Sequence, residues 1–177
     1  EWAGLWVINI PAGWTNDNRG NENPDVFVKN AIPSLMSYLR RFEAMATKRD
    51  DQGDFWWELR PCSYYMEFEK EKVAWQRITQ EPTFCLVDSG VYILDSMAFF
   101  VSDKAMKYQM AVLNSRVILF YVKKIVHQYG LTGFRLANQY VEIMPIPPLT
   151  EQNEPLVKQV ESLVDKIISI KKQNPQE

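Results

Sequence analysis

Three prolines within four positions, Pro145, Pro147 and Pro148, stop any sheet from running through that point. Proline has no backbone N–H to give to a ladder. The segment beyond them is of a different kind. Leu156, Val160, Leu163, Ile167 and Ile170 are spaced four, three, four and three, a heptad seam about two repeats long. They predict an amphipathic helix from about Glu151 to Lys172, with Thr150 and Asn153 as a weak capping arrangement. Such a helix either docks on a partner surface or folds back on its own domain.

Upstream of the prolines the pattern is mixed. Residues 1–10 are apolar and loosely alternating, which suits a strand. Pro11, Gly13, Asn16, Asp17, Asn18, Gly20, Asn21, Asn23 and Pro24 crowd the next stretch and mark a loop or linker. A helix is expected after an N-cap at Ser34, with Leu35, Leu39, Phe42 and Ala46 at helical spacing, ending in the polar run Lys48 to Gly53. Strands are expected at 72–78, 83–87, 91–94 and 98–101, with Asp88-Ser89-Gly90 as a turn. Met106, Met110, Leu113, Val117, Phe120 and Lys124 mark one side of a long helix that ends before Gly130. One or two strands are expected within 134–143. The fold class is therefore α+β: a small mixed or antiparallel sheet with packed helices and a long C-terminal amphipathic helix. Three stretches follow: 1–25, an N-terminal strand and linker-like segment; 26–149, the main domain; and 150–177, the C-terminal helix.

The chain of 177 residues is long enough to bury a core without staples. It opens on Glu1 and enters an apolar run directly, as expected of a piece cut from a longer polypeptide. No run approaches the roughly 20 apolar residues of a membrane helix, so a cytoplasmic location without membrane contact is expected. Cys62 and Cys85 are too far apart for a zinc pattern, and His127 is the single histidine, so no metal site is expected.

Catalytic patterns are missing as well. There is no Gly-rich phosphate loop, no Gly-x-Ser-x-Gly elbow, no Glu-x-Lys nuclease core and no Asn/Asp-Pro-Pro-aromatic methylation loop. His127 alone cannot supply a nucleophile–base–orienter set. The reading is a non-enzymatic segment without catalytic residues.

Binding signals remain. Net charge is −2, yet the six cations Lys104, Lys107, Arg116, Lys123, Lys124 and Arg135 lie in a span, 104–141, that holds no acid. Such a stripe suits phosphates, although a solvated helix face is the plainer reading. Arg49, Arg60 and Arg77 are further candidates; Arg60 pairs with an acid or meets phosphate, and Arg77 follows Gln76 on an expected strand. The aromatics Phe55, Trp56, Trp57, Tyr64, Tyr65 and Phe68 stack on bases or, more plainly, fill a core.

A resemblance joins these segments. In order they are Tyr38-Leu39 to Lys48-Arg49-Asp50; Gly53-Asp54-Phe55-Trp56-Trp57-Glu58-Leu59-Arg60-Pro61-Cys62; Phe68-Glu69-Lys70-Glu71-Lys72-Val73; Leu113-Asn114-Ser115; and Tyr140-Val141-Glu142 leading to Pro145-Ile146-Pro147. The set resembles the C-terminal specificity domain of TaqI-like adenine methyltransferases and bifunctional restriction–modification proteins, from about Ile32 to Leu149. The tail from Pro147 to Gln152 with its helix is also similar to the half-domain endings of type I restriction specificity subunits.

The resemblance implies a target recognition domain spanning 26–149. It would read double-stranded DNA in the major groove for a catalytic methyltransferase domain in the same chain or complex. That domain, with or without an endonuclease, would bind S-adenosylmethionine and flip the adenine; no cofactor is expected in this segment. Candidate DNA contacts are Arg49, Arg60, Arg77, Lys104, Lys107, Arg116 and Arg135. Candidate partner contacts are Leu156, Val160, Leu163 and Ile167. The rival readings are a protein-interaction scaffold, half of a type I specificity subunit, or an unrecognised hydrolase.

Overall fold

A computed structural model describes residues 4–131 and 133–174. The chain gathers into two compact units, residues 1–65 and 66–177. The division falls after Tyr65.

The first unit is helical. Its elements are α1 (Trp14–Asn18), α2 (Pro24–Ala31), α3 (Pro33–Leu39), a 3₁₀ turn at Arg40–Phe42 and α4 (Glu43–Ala46). The segment expected to be loop therefore holds α1 and the start of α2. Asn23 is a cap rather than a linker residue: its side-chain oxygen accepts from the N–H groups of Asp25 and Val26 at 3.0 and 3.4 Å. Pro24 at the first helical position presets the backbone for α2. Pro33 does the same for α3, which moves its cap from the expected Ser34 to Ile32. The expected strand at 1–10 is not formed over residues 4–10, and residues 1–3 lie outside the described chain. Ile10 alone there is buried, and its carbonyl accepts from Leu59 N–H at 2.7 Å.

Ile10, Val28, Met36 and Trp57 form the core of this unit, lined by Trp14, Phe27, Leu35, Leu39, Phe55 and Trp56. A carboxylate sits beside them. Glu58 is fully buried and accepts from the backbone N–H of Gly13 (3.1 Å), Thr15 (2.9 Å) and Asp54 (2.9 Å). Two of these are orphan donors at the start of α1, so a side chain from far along the chain caps that helix. Next to it the Trp57 indole donates to the Thr15 hydroxyl at 2.9 Å. Gly53 is required at this point because a Cβ there would lie 2.6 Å from the Glu58 Cβ.

The second unit carries two antiparallel three-stranded sheets. β1 (Lys72–Gln76) is central, flanked by β3 (Phe84–Val87) and β4 (Met97–Phe100); β6 (Gly133–Arg135) is central between β2 (Ile78–Thr79) and β5 (Gln128–Tyr129). Helices α5 (Met106–Leu113), α6 (Arg116–Ile125), α7 (Asn138–Glu142) and α8 (Glu154–Gln173) complete it. Val73, Trp75, Phe84, Ala98, Met110, Leu113, Ile118, Val122, Leu136 and Val164 share one core. The Trp75 indole donates to the Leu136 carbonyl at 2.9 Å.

Four expectations change here. The long helix is two, because Asn114 and Ser115 break it. The Asn114 side chain accepts from Phe84 N–H at 2.9 Å and donates to the Phe84 carbonyl at 2.8 Å, so it pairs with the edge strand β3 as a further strand would. Ser115 then caps α6, accepting from Ile118 N–H. The restart resets the helical phase: Ile118 and Val122 face the core, while Val117 and Phe120 are 72% and 64% exposed.

No strand forms at 91–94. The ammonium of the fully buried Lys72 donates to the carbonyls of Asp88 and Val91 at 3.0 and 3.2 Å, holding them as a loop. Burial pushes its pKa below the ordinary lysine value, against the pull of Glu69 and Asp88. Only the first residues of 134–143 are strand; α7 follows. In the C-terminal helix, residues 151–153 are a turn. There Thr150 and Asn153 bond reciprocally, side chain to backbone, at 2.9 and 3.3 Å, and the helix proper begins at Glu154.

Candidate nucleic-acid interface

α6 owes its character to two faces. Arg116, Phe120, Lys123 and Lys124 recur at helical intervals and share the outward side with Val117; all five are exposed. The Lys124 ammonium lies 5.6 Å from the centre of the Phe120 ring, a cation–π contact that holds both at the surface. None of the three cations is ion-paired with a described carboxylate. The helix therefore presents charge uncompensated by its surroundings.

The sheet after α6 extends this chemistry. Ile78 lies directly opposite Arg135, and Tyr129 opposite Gly133, so Ile78, Tyr129 and Arg135 share one face by antiparallel register. All three are exposed. Phe134 points to the other face and packs on the core. Arg135 N–H donates to the His127 carbonyl at 3.3 Å, and the exposed His127 ring meets Tyr140 edge-on at 6.0 Å. Arg135 too is without a carboxylate partner among the described residues.

The candidate cations separate into distinct groups. In the first unit, Arg49 is bound into the structure: it donates to the carbonyls of Trp56 (2.7 Å), Glu58 (3.0 Å) and Ala46 (3.3 Å). Arg60 is paired loosely with Asp51 at 3.8 Å. In the second unit, Arg77 pairs with Asp95 at 3.0 Å. Lys107 pairs with Asp165 of α8 at 2.6 Å, a bond that raises the lysine's pKa. Lys104, Arg116 and Arg135 have no such partner among the described residues. Arg116 shares its helix face with Lys123 and Lys124, and Arg135 lies on the exposed sheet face.

Val117 and Phe120 on the outward face of α6, and Ile78 and Tyr129 on the exposed face of the sheet, are apolar residues that sequence reasoning did not place at the surface. The signal existed for two of them. Reading Ser115 as an N-cap, rather than as the middle of one helix, would have turned Val117 and Phe120 outward beside the cations.

The seam of α8 is also divided. Val157 and Val164 are buried, with Ile168 packed on the core, and this stripe lies against α5. Leu156, Leu163, Ile167 and Ile170 form a neighbouring stripe that is more than half exposed, and Val160 is half-buried between the two. The helix thus folds back on its own unit and still keeps an apolar stripe open.

Among the described residues no three His, Cys, Asp or Glu side chains could hold a metal ion, and no helix is long and apolar enough to cross a membrane. Comparison with known families places a match to the TaqI-like C-terminal specificity domain over residues 28–146. No curated protein matches the chain.

Proposed function

The chain belongs to the family of TaqI-like C-terminal specificity domains, and from that premise we propose that it reads double-stranded DNA in sequence-specific fashion for an adenine methyltransferase of a restriction–modification system. A specificity domain is not itself catalytic; the reaction falls to a catalytic domain in the same chain or complex. S-adenosylmethionine belongs to that partner in this reading, and no residue here is assigned to it.

One observation carries the proposal. Arg116, Lys123, Lys124 and Arg135 stand exposed in a span without acids, on α6 and the face of β6, and are not ion-paired with any described carboxylate. Cations placed in this way release counterions from DNA when they meet its phosphates, and that release drives association with duplex. Lys104 is a further such cation at the start of the same span. Arg77 and Lys107 would first have to leave Asp95 and Asp165, and Arg49 would have to give up three carbonyls. Their parts in DNA contact are correspondingly smaller.

The open stripe of α8 supports the second half of the proposal. Leu156, Leu163 and Ile167, with Val160 at the margin, would receive the catalytic partner, while Val157 and Val164 hold the helix to its own unit.

Binding of the chain to random-sequence duplex, titrated with salt, tests the DNA reading. The logarithm of affinity should fall linearly with the logarithm of salt. Replacing Arg116, Lys123 and Lys124 together by Ala should lower the steepness by about 0.9 for each phosphate no longer neutralised. Binding that is absent at every ionic strength, or whose slope the triple substitution leaves unchanged, would refute it.

A further inference from the structure

A surface helix ordinarily turns its apolar residues inward and its polar ones outward. In α6, Ile118 and Val122 obey this and are buried, but Phe120 is 64% exposed and Val117 is 72% exposed. The phase of the helix is fixed from its start, where the Ser115 hydroxyl accepts from Ile118 N–H at 3.3 Å. No acid occurs between Arg116 and Ile125.

At roughly 100° per residue, the exposed side chains of α6 fall on one continuous arc. Phe120 is at its middle. Arg116 and Lys123 lie about 40–60° to one side of it, and Lys124 and Val117 about 40–60° to the other. The Lys124 ammonium is 5.6 Å from the centre of the Phe120 ring, so that flank touches the middle directly. A lone exposed apolar residue needs no explanation. An aromatic ring on the centre line of a helix is different when cations without carboxylate partners among the described residues stand on both flanks. Its complement is a surface apolar in the middle and anionic along both edges.

The major groove of duplex DNA offers that complement. Phosphates line both of its edges, and the apolar group that bases display on its floor is the C5-methyl of thymine. The groove is about 12 Å wide and admits an α-helix, whereas the minor groove, about 6 Å wide, is too narrow for one. We propose that α6 lies in the major groove with Phe120 on the floor against a thymine methyl, Arg116 and Lys123 on the phosphates of one edge, and Lys124 on those of the other. Phe120 is then a base-reading residue. That role rests on the chain being a reader of duplex DNA.

Selection from a random duplex pool, with the chain and with Phe120→Ala, tests the inference. The unaltered chain should enrich a site with a fixed thymine, and Phe120→Ala should relax that position while keeping the rest. Deoxyuridine at that position lacks only the methyl, which stands in the major groove. It should weaken the unaltered chain about fourfold, the worth of one buried methyl-sized group, and leave Phe120→Ala within twofold. The salt dependence of Phe120→Ala should match that of the unaltered chain, because no charge is removed. Equal melting temperatures are expected, since Phe120 is exposed. The inference is overturned, and the DNA reading stands, if Phe120→Ala keeps the thymine or if deoxyuridine weakens neither protein or both alike. A shallower salt dependence with the base preference intact also overturns it, because Phe120 would then only hold Lys124 in place. If the unaltered chain enriches no sequence, both readings fall.

Discussion

The two units treat their conspicuous residues in opposite ways. In the first, the run from Trp56 to Glu58 is used up internally. Glu58 caps α1 from within the core, Trp57 bonds Thr15, and Arg49 binds the carbonyls of Trp56 and Glu58. In the second, the least conspicuous stretch, an acid-free helix with ordinary cations, leaves its charges unspent on the surface. The comparison teaches that residues by which a family is recognised are those its architecture needs. The residues proposed to meet DNA are those the architecture leaves alone.

If so, the largest effect on stability should come from the first unit. Glu58→Ala would leave the buried N–H of Thr15 and the part-buried N–H groups of Gly13 and Asp54 without their acceptor, at about 1–3 kcal/mol for each that stays dry. A loss of about 3 kcal/mol or more in urea unfolding is expected, against almost none for Asp54→Ala beside it. Equal effects would mean that the carboxylate is not the cap of α1.

A smaller loss should follow in the second unit from Asn114→Ala, which frees both backbone groups of Phe84. About 1–3 kcal/mol is expected, again by urea unfolding, and Asn114→Asp should recover little because a carboxylate cannot donate to the Phe84 carbonyl. Full recovery by Asp would contradict the two-way pairing.

The cations of α6 should show the reverse profile. Replacing Arg116, Lys123 and Lys124 by Ala should change stability by no more than about 0.5 kcal/mol each, as for surface positions generally, while duplex affinity falls by at least about tenfold. A stability loss of the Glu58 size would show that these residues are structural and erase the contrast.

Lys72 supplies the subtlest test. Its folded pKa is lowered by burial, so the folded chain holds this proton less firmly than the unfolded chain. Stability from this group is therefore reduced at neutral pH. It is regained as pH rises through the lowered pKa toward the ordinary value of 10.5. The difference in unfolding free energy between the chain and Lys72→Met should shift in favour of lysine as pH climbs toward that value. A shift in favour of methionine would mean the ammonium is stabilised, not strained, by its carbonyl partners.

Much of this was legible in the sequence. Period-two runs located β1, β3 and β4, Asp88-Ser89-Gly90 located the turn after β3, and heptad spacing located α8. What escaped was set by polar residues whose role depends on distant partners. Asn23 and Gly13 read as loop formers but start helices, and the acceptor that caps α1 is Glu58, out of reach of any local rule. Asn114 reads as a surface residue in a helical window, yet it bonds an edge strand thirty positions away. That break turned Val117 and Phe120 outward. The candidate cations were visible as a charge run, but which of them carry an ion pair depended on Asp95 and Asp165, carboxylates brought in by the fold.

Whether the uncompensated cations of α6 grip duplex is decided by lysine acetylation footprinting read by mass spectrometry. With duplex DNA present, Lys123 and Lys124 should be protected, while Lys48 of the first unit and Lys166 of α8 should react as in the free chain. Protection confined to lysines outside the 104–141 span, with Lys123 and Lys124 reacting unchanged, would contradict it.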